Sequence, residues 1–476
     1  MPSIRPVDAG GRRGVLLAVL LTGQVMASID GSIVSVAAPT IQEGLDATGA
    51  EIQLIVSGYL LTTGVLFVTC ARLGDVIGHR RAFMIGLGWF TIASLLCGSA
   101  VSPIMLILTR LLQAGGAALL MPQVFSLIHR QWDGIARRRA IGVYSTVLAL
   151  GVVLGQVGGG VVAGADLFGL GWRPVFLINV PIGLITLLIG ARVMPVTRRE
   201  TAARLDPLGV VLLTAAMIAI TVPLTIGQER GRPIWSLIIL GVGAVLLVIF
   251  VRYEMRAPHP VLDLAALRPR AVRQGLLACC IVMGCYTAFL LTLTLHLQGR
   301  LGFTPLQAGI AFVPYAVGFG ALSLTWNAYP VWLQRSLPVA GPIACAAGMI
   351  LVVALFRENW QPGGSAPLLV LAGAGHAAGY SPLIARITAG IDPRLASAIS
   401  ALNSTGPTLA EVVAVAGLGS LYFAAADSAD GLLQVTAMIF LLLIIGAFFA
   451  ASALIVRRRS STAESSADAP DAGARR

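Results

Sequence analysis

One feature repeats along the whole chain: apolar runs of about 20 residues, separated by short polar connections. A run of that length crosses the ~30 Å hydrocarbon core of a bilayer as a helix. In lipid each backbone N–H and C=O must find its partner within the segment, and a helix meets that demand. Fourteen runs are legible, at roughly 15–37, 51–71, 82–101, 104–128, 140–164, 174–194, 207–227, 235–252, 274–297, 306–328, 338–356, 366–385, 395–424 and 433–456. Composition agrees: the chain is 57% hydrophobic and 11% charged, against about 25% charged in soluble domains. The expected fold is an all-α integral membrane protein, with no stretch long enough for a soluble catalytic domain.

The charges set an orientation. Net charge is +12, and all 33 basic residues are Arg. With a cytoplasmic N-terminus, 27 of these fall in cytoplasmic segments, five in external loops and one in the membrane. Clusters stand at Arg80-Arg81, Arg137-Arg138-Arg139, Arg198-Arg199 and Arg457-Arg458-Arg459. This is the positive-inside pattern. It predicts an even helix count with both termini inside, and it accounts for the net charge without a nucleic-acid partner. The first run follows Arg12-Arg13 but is too long for a signal peptide, contains Asp30 and leads into further spans, so it reads as an uncleaved helix. The six Cys lie in or beside apolar runs without metal-ligand spacing; they read as small core residues, with no disulfide and no metal. A chain without Lys and rich in Ala, Gly and Arg has the composition of a GC-rich bacterial genome.

Two polar linkers, Pro195–Asp206 and Glu254–Arg273, bracket one helical pair at about 207–252. Six runs precede the pair and six follow it. The organisation expected is a first six-helix bundle over 1–194, an inserted pair with its linkers over 195–273, a second bundle over 274–456, and a disordered cytoplasmic tail over 457–476.

Three charges sit inside the apolar runs: Asp30, Arg110 and Glu411. A carboxylate or guanidinium at the bilayer centre costs roughly 2.5–3.5 kcal/mol on insertion scales, so such groups mark a partner or a function. Arg110 and Gln113 are three residues apart and share a helix face. A buried Arg stays charged and favours ionisation of a nearby acid. Glu411 follows Gly406-Pro407, which is expected to break or kink its helix one turn earlier.

Several stretches resemble one family. Ala71-Arg72-Leu73-Gly74-Asp75-Val76-Ile77-Gly78-His79-Arg80-Arg81 is similar to the signature loop of the major facilitator superfamily, Gly-x-Leu-Ala-Asp-x-x-Gly-Arg-Lys. It departs at Ala71, Val76 and His79. Leu108-Thr109-Arg110-Leu111-Leu112-Gln113-Ala114 resembles the family's Leu-x-Arg-x-x-Gln-Gly. Gly151-Val152-Val153-Leu154-Gly155-Gln156-Val157-Gly158-Gly159-Gly160 resembles the antiporter motif of its exporters, with Gln156 where Pro is usual. Gly151 and Gly155 also form a small-xxx-small face that lets a second helix approach. Ile29-Asp30-Gly31-Ser32-Ile33-Val34-Ser35-Val36-Ala37-Ala38-Pro39 and Trp172-Arg173-Pro174-Val175-Phe176-Leu177-Ile178-Asn179-Val180-Pro181-Ile182-Gly183 resemble motifs of the fourteen-helix drug:proton antiporters. The stretch from Leu297-Gln298 to Ala308-Gly309 is similar to the same branch.

The resemblance implies two six-helix bundles facing a central cavity, a peripheral inserted pair, and alternating access. It implies export of small amphipathic or cationic compounds in exchange for protons, with no cofactor beyond the proton gradient, from a bacterial cytoplasmic membrane. The residues expected to couple protons are Asp30, Arg110 and Glu411. Those expected to meet substrate are Gln113, Glu411, Met26, Tyr286, Trp326 and Asn327. Asp75, Gly78 and Arg81 are expected to gate, and Gly151, Gly155, Gly159 and Pro181 to shape the helices. Tyr59 and Phe289 are further pocket or core candidates. His296 and His376 titrate near neutrality when unperturbed. A proton-coupled importer of a small metabolite and a non-transporting membrane sensor are the alternatives; the glycines near 155 speak against the first, and the lack of a folded cytoplasmic domain against the second. No His-Glu-x-x-His, Gly-x-Ser-x-Gly or Gly-x-x-x-x-Gly-Lys is present, which leaves no sign of an enzyme.

Overall fold

The computed structural model describes residues 9–165, 169–195, 206–229, 233–258, 260–388, 396–424 and 430–467. Among these there are helices and no strands. The first group is α1 (Ala9–Leu45), α2 (Gly49–Ile77), α3 (His79–Gly98), α4 (Pro103–Gln131), α5 (Gly134–Gly164), α6 (Pro174–Leu177) and α7 (Asn179–Val193). Next come α8 (Pro207–Glu229) and α9 (Ile234–Glu254). The last group is α10 (Arg270–Gly299), α11 (Pro305–Ala311), α12 (Val313–Thr325), α13 (Val331–Phe356), α14 (Pro362–Thr388), α15 (Ala396–Ala424) and α16 (Gly431–Ala467). Thirteen helical stretches among the described residues are long and apolar enough to cross a membrane. The pieces α6–α7 and α11–α12 each make one such stretch. The run expected at 140–164 lies on α5, 31 residues long and outside that count.

Local signals explain the helix ends. Thr48 and Glu51 form a capping box at the start of α2, and Thr304 and Gln307 do the same for α11. Ser102 caps α4, with Pro103 in its first turn. The turn from α2 to α3 pivots on Gly78, whose φ of 93° suits glycine.

Within the first group α1 packs on α5, and α4 packs on both α2 and α3. Within the last group α10 packs on α15 and α16, and α14 packs on α12 and α13. The two groups meet where α2 packs on α15 and α5 on α11. They also touch at the ends remote from the Arg clusters, where Gln298 Nε2 donates to Val36 O at 2.8 Å. The α8–α9 pair leans on that seam: α8 packs against α2 and α15 together, and Ser420 Oγ lies 2.6 Å from Leu224 O and 3.0 Å from Gln53 Oε1, within hydrogen-bond reach of either. On the open side α9 leaves large aliphatic side chains exposed, among them Leu237, Ile238 and Val248, as a lipid-facing helix does.

Two expectations need correction. Gly406-Pro407 does not break α15, which runs continuously from Ala396 to Ala424. Flanking helices hold a proline-containing segment helical in such packing. The stretch expected as a disordered tail is helical as far as Ala467, a continuation of α16. Residues 468–476, and most of the Pro195–Asp206 linker, lie outside the described residues.

Candidate functional site

Five helices of the first group bring polar side chains to one buried point. Asp30 comes from the middle of α1, Arg110 and Gln113 from one face of α4, Ser94 from α3, Tyr59 from α2 and Asn179 from the start of α7. Asp30 is 0% exposed, Arg110 1% and Gln113 0%. Arg110 Nη1 donates to Asp30 Oδ2 and, at 2.7 Å, to Gln113 Oε1. Gln113 Nε2 donates to Asp30 Oδ1 at 2.8 Å and to Ser94 Oγ at 2.8 Å. Asn179 Nδ2 adds a longer bond to Asp30 Oδ1 at 3.3 Å. The Arg110 guanidinium also lies 4.1 Å from the centre of the Tyr59 ring and 5.6 Å from that of Phe176, within cation–π range. Tyr59 is fixed in turn by its hydroxyl, which donates to Ala27 O at 3.2 Å.

The cluster therefore joins one carboxylate, one guanidinium and a carboxamide whose donors and acceptor are all engaged. Such a pair survives burial only when its geometry is good and its remaining lone pairs are met. As a unit it carries no net charge, and adding one proton to Asp30 would leave Arg110 uncompensated. Sequence reasoning assigned Asp30 and Arg110 to proton coupling and Gln113 to substrate contact, whereas Gln113 is bonded to both of them here; it did not assign Asn179 or Ser94, although Asn179 stood inside a quoted motif.

The glycine run of α5 lies against α1 beside Asp30. A Cβ on Gly151 would come 2.8 Å from Ser28 Cβ, one on Gly155 2.9 Å from Ile29 O, and one on Gly159 2.7 Å from Ile33 Cγ1. The stripe thus seats α5 on the helix that bears the carboxylate. Pro181 is exposed in the first turn of α7.

Glu411 sits elsewhere. It is half-buried on α15, within electrostatic reach of Cys280, Tyr286 and Tyr380, and has no hydrogen-bond or ion-pair partner among the described residues. No bond links it to Asp30. Tyr286 belongs to an aromatic group around His376: ring centres lie 4.7 Å apart for Tyr286–His376, 4.8 Å for Phe319–His376 and 5.5 Å for Tyr286–Tyr315. The His376 ring is held between the Tyr315 hydroxyl, 2.8 Å from Nδ1, and Met283 Sδ, 3.3 Å from Nε2.

Of the remaining expected substrate contacts, Met26 lies in the core beside the first cluster, and Trp326 and Asn327 are brought to neither. Met26 is packed in the core of the first group with Tyr59 and Leu87. Trp326 and the exposed Asn327 lie in a 3-10 turn that follows α12, so α12 ends short of them. Phe289 is a fully buried core residue. His296 lies at the far end of α10, where its Nε2 is 2.7 Å from Arg357 O.

At the basic face Asp75 is 3.2 Å from His79 Nε2 and 3.9 Å from Arg130 Nη2. His79 Nδ1 lies 2.8 Å from Gln123 Oε1, and Gln123 Nε2 donates to Cys70 O at 2.9 Å. Gln123, unassigned from sequence, thus pins the Asp75 loop to α4, and the space it uses exists because residue 74 is glycine. Arg81, expected to gate along with Asp75, is exposed on the first turn of α3.

The chain is similar to known proteins. Residues 20–415 match the family described as Major Facilitator Superfamily. A probable actinorhodin transporter of Streptomyces coelicolor is 33% identical over 87% of this chain and 73% of its own length. A puromycin resistance protein of Streptomyces alboniger is 32% identical over 86% of this chain and 82% of its own. Among solved structures, a bacterial homologue of the human lysosomal transporter Spinster aligns with a TM-score of 0.68 at 18% identity, covering 94% of this chain and 98% of that one. At that identity it speaks for the fold alone. The chain is a multi-pass membrane transporter of the Major Facilitator Superfamily.

Proposed function

We propose that this protein exports small amphipathic compounds, organic cations among them, in exchange for protons. It does so from a bacterial cytoplasmic membrane with both termini inside, as the Arg distribution favours. The observation that carries the reading is the neutral, fully buried Asp30–Arg110–Gln113 cluster. Relatives named for antibiotic transport and resistance support the direction and the substrate class.

The scheme follows from charge. With Asp30 ionised, Arg110 is neutralised and the first bundle keeps its packing. A proton reaching Asp30 removes the carboxylate charge and leaves a buried guanidinium, whose interaction with a unit charge at 4 Å is worth about 4 kcal/mol at an effective dielectric of 20. Arg110 then gains by moving toward Tyr59 or toward water, and the helices that hold it move with it. Gln113 follows both partners and limits how far they separate. On the other bundle Glu411 and the Tyr286 ring form the substrate-facing wall, a carboxylate without an internal partner beside an aromatic face. Alternating access comes from rocking of the units 1–194 and 274–456, with the 195–273 pair at their margin. Asp75, with Gln123 and His79, closes the cytoplasmic end.

Inside-out membrane vesicles test this. Ethidium, a lipophilic cation, should accumulate when an acid interior is imposed and leave when an ionophore collapses the gradient. Accumulation only under the opposite gradient would favour an importer.

A further inference from the structure

The inserted pair holds two acids that this cycle does not use. Asp206 stands just before α8 and Glu254 ends α9; they are 9% and 2% exposed. Glu254 Oε1 and Oε2 accept from the backbone N–H of Val261, at 3.2 Å, and of Leu262, at 3.0 Å. Asp206 Oδ1 accepts from Gly209 N at 3.0 Å and from the Tyr253 hydroxyl at 2.9 Å. Asp206 Oδ2 is buried and has no hydrogen-bond partner among the described residues. This orphaned oxygen and Glu254 Oε1 border the same small space: a Cβ on Gly209 would lie 2.7 Å from the first and 2.6 Å from the second. Arg72, in the signature loop at the end of α2, reaches across to donate to Pro260 O, next to the amides that hold Glu254. The pair, linker residues 260–262 and the signature loop form one run of contacts.

Two carboxylates in one enclosed site cannot both stay ionised without strong repulsion, and an acceptor-only oxygen there lacks a donor. We propose that Asp206 and Glu254 form a single proton-binding site, in which one shared proton fills the bond that Asp206 Oδ2 lacks and keeps the linker 255–268 docked on Arg72. With that proton the pair carries one negative charge, matched by Arg72. Among the described residues, the charged and titratable groups facing the pair are Arg72 from α2 and Tyr253 from α9. Asp263, the N-cap of the turn Leu264–Leu267, accepts from Ala265 N at 3.0 Å instead. Loss of the proton sets two carboxylates against one guanidinium. The repulsion is relieved when Glu254 releases Val261 and Leu262, which frees the linker from the signature loop. This site stands whether or not the chain exports by proton exchange, because its test needs no transport.

The full chain in lipid nanodiscs, titrated from acid to alkaline pH, provides the test by infrared spectroscopy and hydrogen–deuterium exchange. Wild type should show the carbonyl band of a protonated carboxylic acid that is missing from Asp206→Asn. Exchange in the peptide holding Val261 and Leu262, corrected for intrinsic base catalysis, should accelerate several-fold as that band disappears. Asp206→Asn is isosteric and supplies an N–H to Glu254, so its linker should stay protected throughout; Glu254→Gln should lose the same band. An unchanged band in Asp206→Asn, or the same pH-dependent release in wild type and variant, would overturn the proposal.

Discussion

Removing the charge of Asp30 should destabilise the first bundle more than any other one-atom change at the buried cluster. Asp30→Asn keeps the shape and keeps an oxygen for Gln113 and Asn179, so the loss falls on Arg110. That guanidinium is 1% exposed and would face only Gln113, Ile55 O at 3.5 Å and two aromatic rings. Breaking a buried ion pair from one side costs about 3–5 kcal/mol. For a unit of this size each kcal/mol moves the melting temperature by about 2–4 °C, so a fall on the order of 10 °C is expected. Arg110→Leu should cost less, because an unpaired carboxyl can take up a proton. The double variant should recover part of the loss, with a coupling of about 2 kcal/mol or more. Thermal unfolding in detergent micelles, followed by Trp fluorescence, measures all four proteins. If Asp30→Asn melts within about 2 °C of wild type, or if the two single losses simply add, the ion pair does not hold the bundle and the reasoning fails.

Three further outcomes follow from single contacts. Gly116→Ala would place a Cβ 2.6 Å from Phe90 N and 3.0 Å from Gly86 O, both backbone, so α3 and α4 must separate at about 1–3 kcal/mol; Gly88→Ala, with nothing within 4 Å, should melt as wild type. Gln123→Leu removes the bonds to His79 and Cys70 O and should speed proteolysis at 75–81 several-fold; unchanged cleavage would mean the loop is held otherwise. Glu411→Gln should weaken binding of tetraphenylphosphonium, read by tryptophan quenching, while leaving a neutral analogue unaffected; equal loss for both would place Glu411 outside cation recognition.

The helices were legible because the apolar runs are long and each end carries a turn or cap signal, as at Thr48 and Ser102. The Asp30–Arg110 contact was foreseeable in kind: isolated charges in apolar helices need partners, and few candidates exist. Depth and rotation were harder to read. Met26 is apolar and so equally suited to core or cavity, and it packs with Tyr59. Trp326 and Asn327 continue an apolar run, but α12 ends at Thr325 and leaves them in a turn. Ser94 and Gln123 were passed over because one hydroxyl or amide in an apolar helix gives no sign of its face. Asp206 and Glu254 carry no signal in the sequence, since only folding brings them to the same side of Gly209.

The central claim is that proton movement and substrate movement are one event governed by Asp30. Purified protein in liposomes with a pH-sensitive dye inside, given ethidium under an imposed pH gradient, measures it directly. The account predicts ethidium-dependent proton flux in wild type and none in Asp30→Asn, at equal amounts of folded protein. Ethidium transport without proton flux, or flux of equal size in the variant, would contradict it.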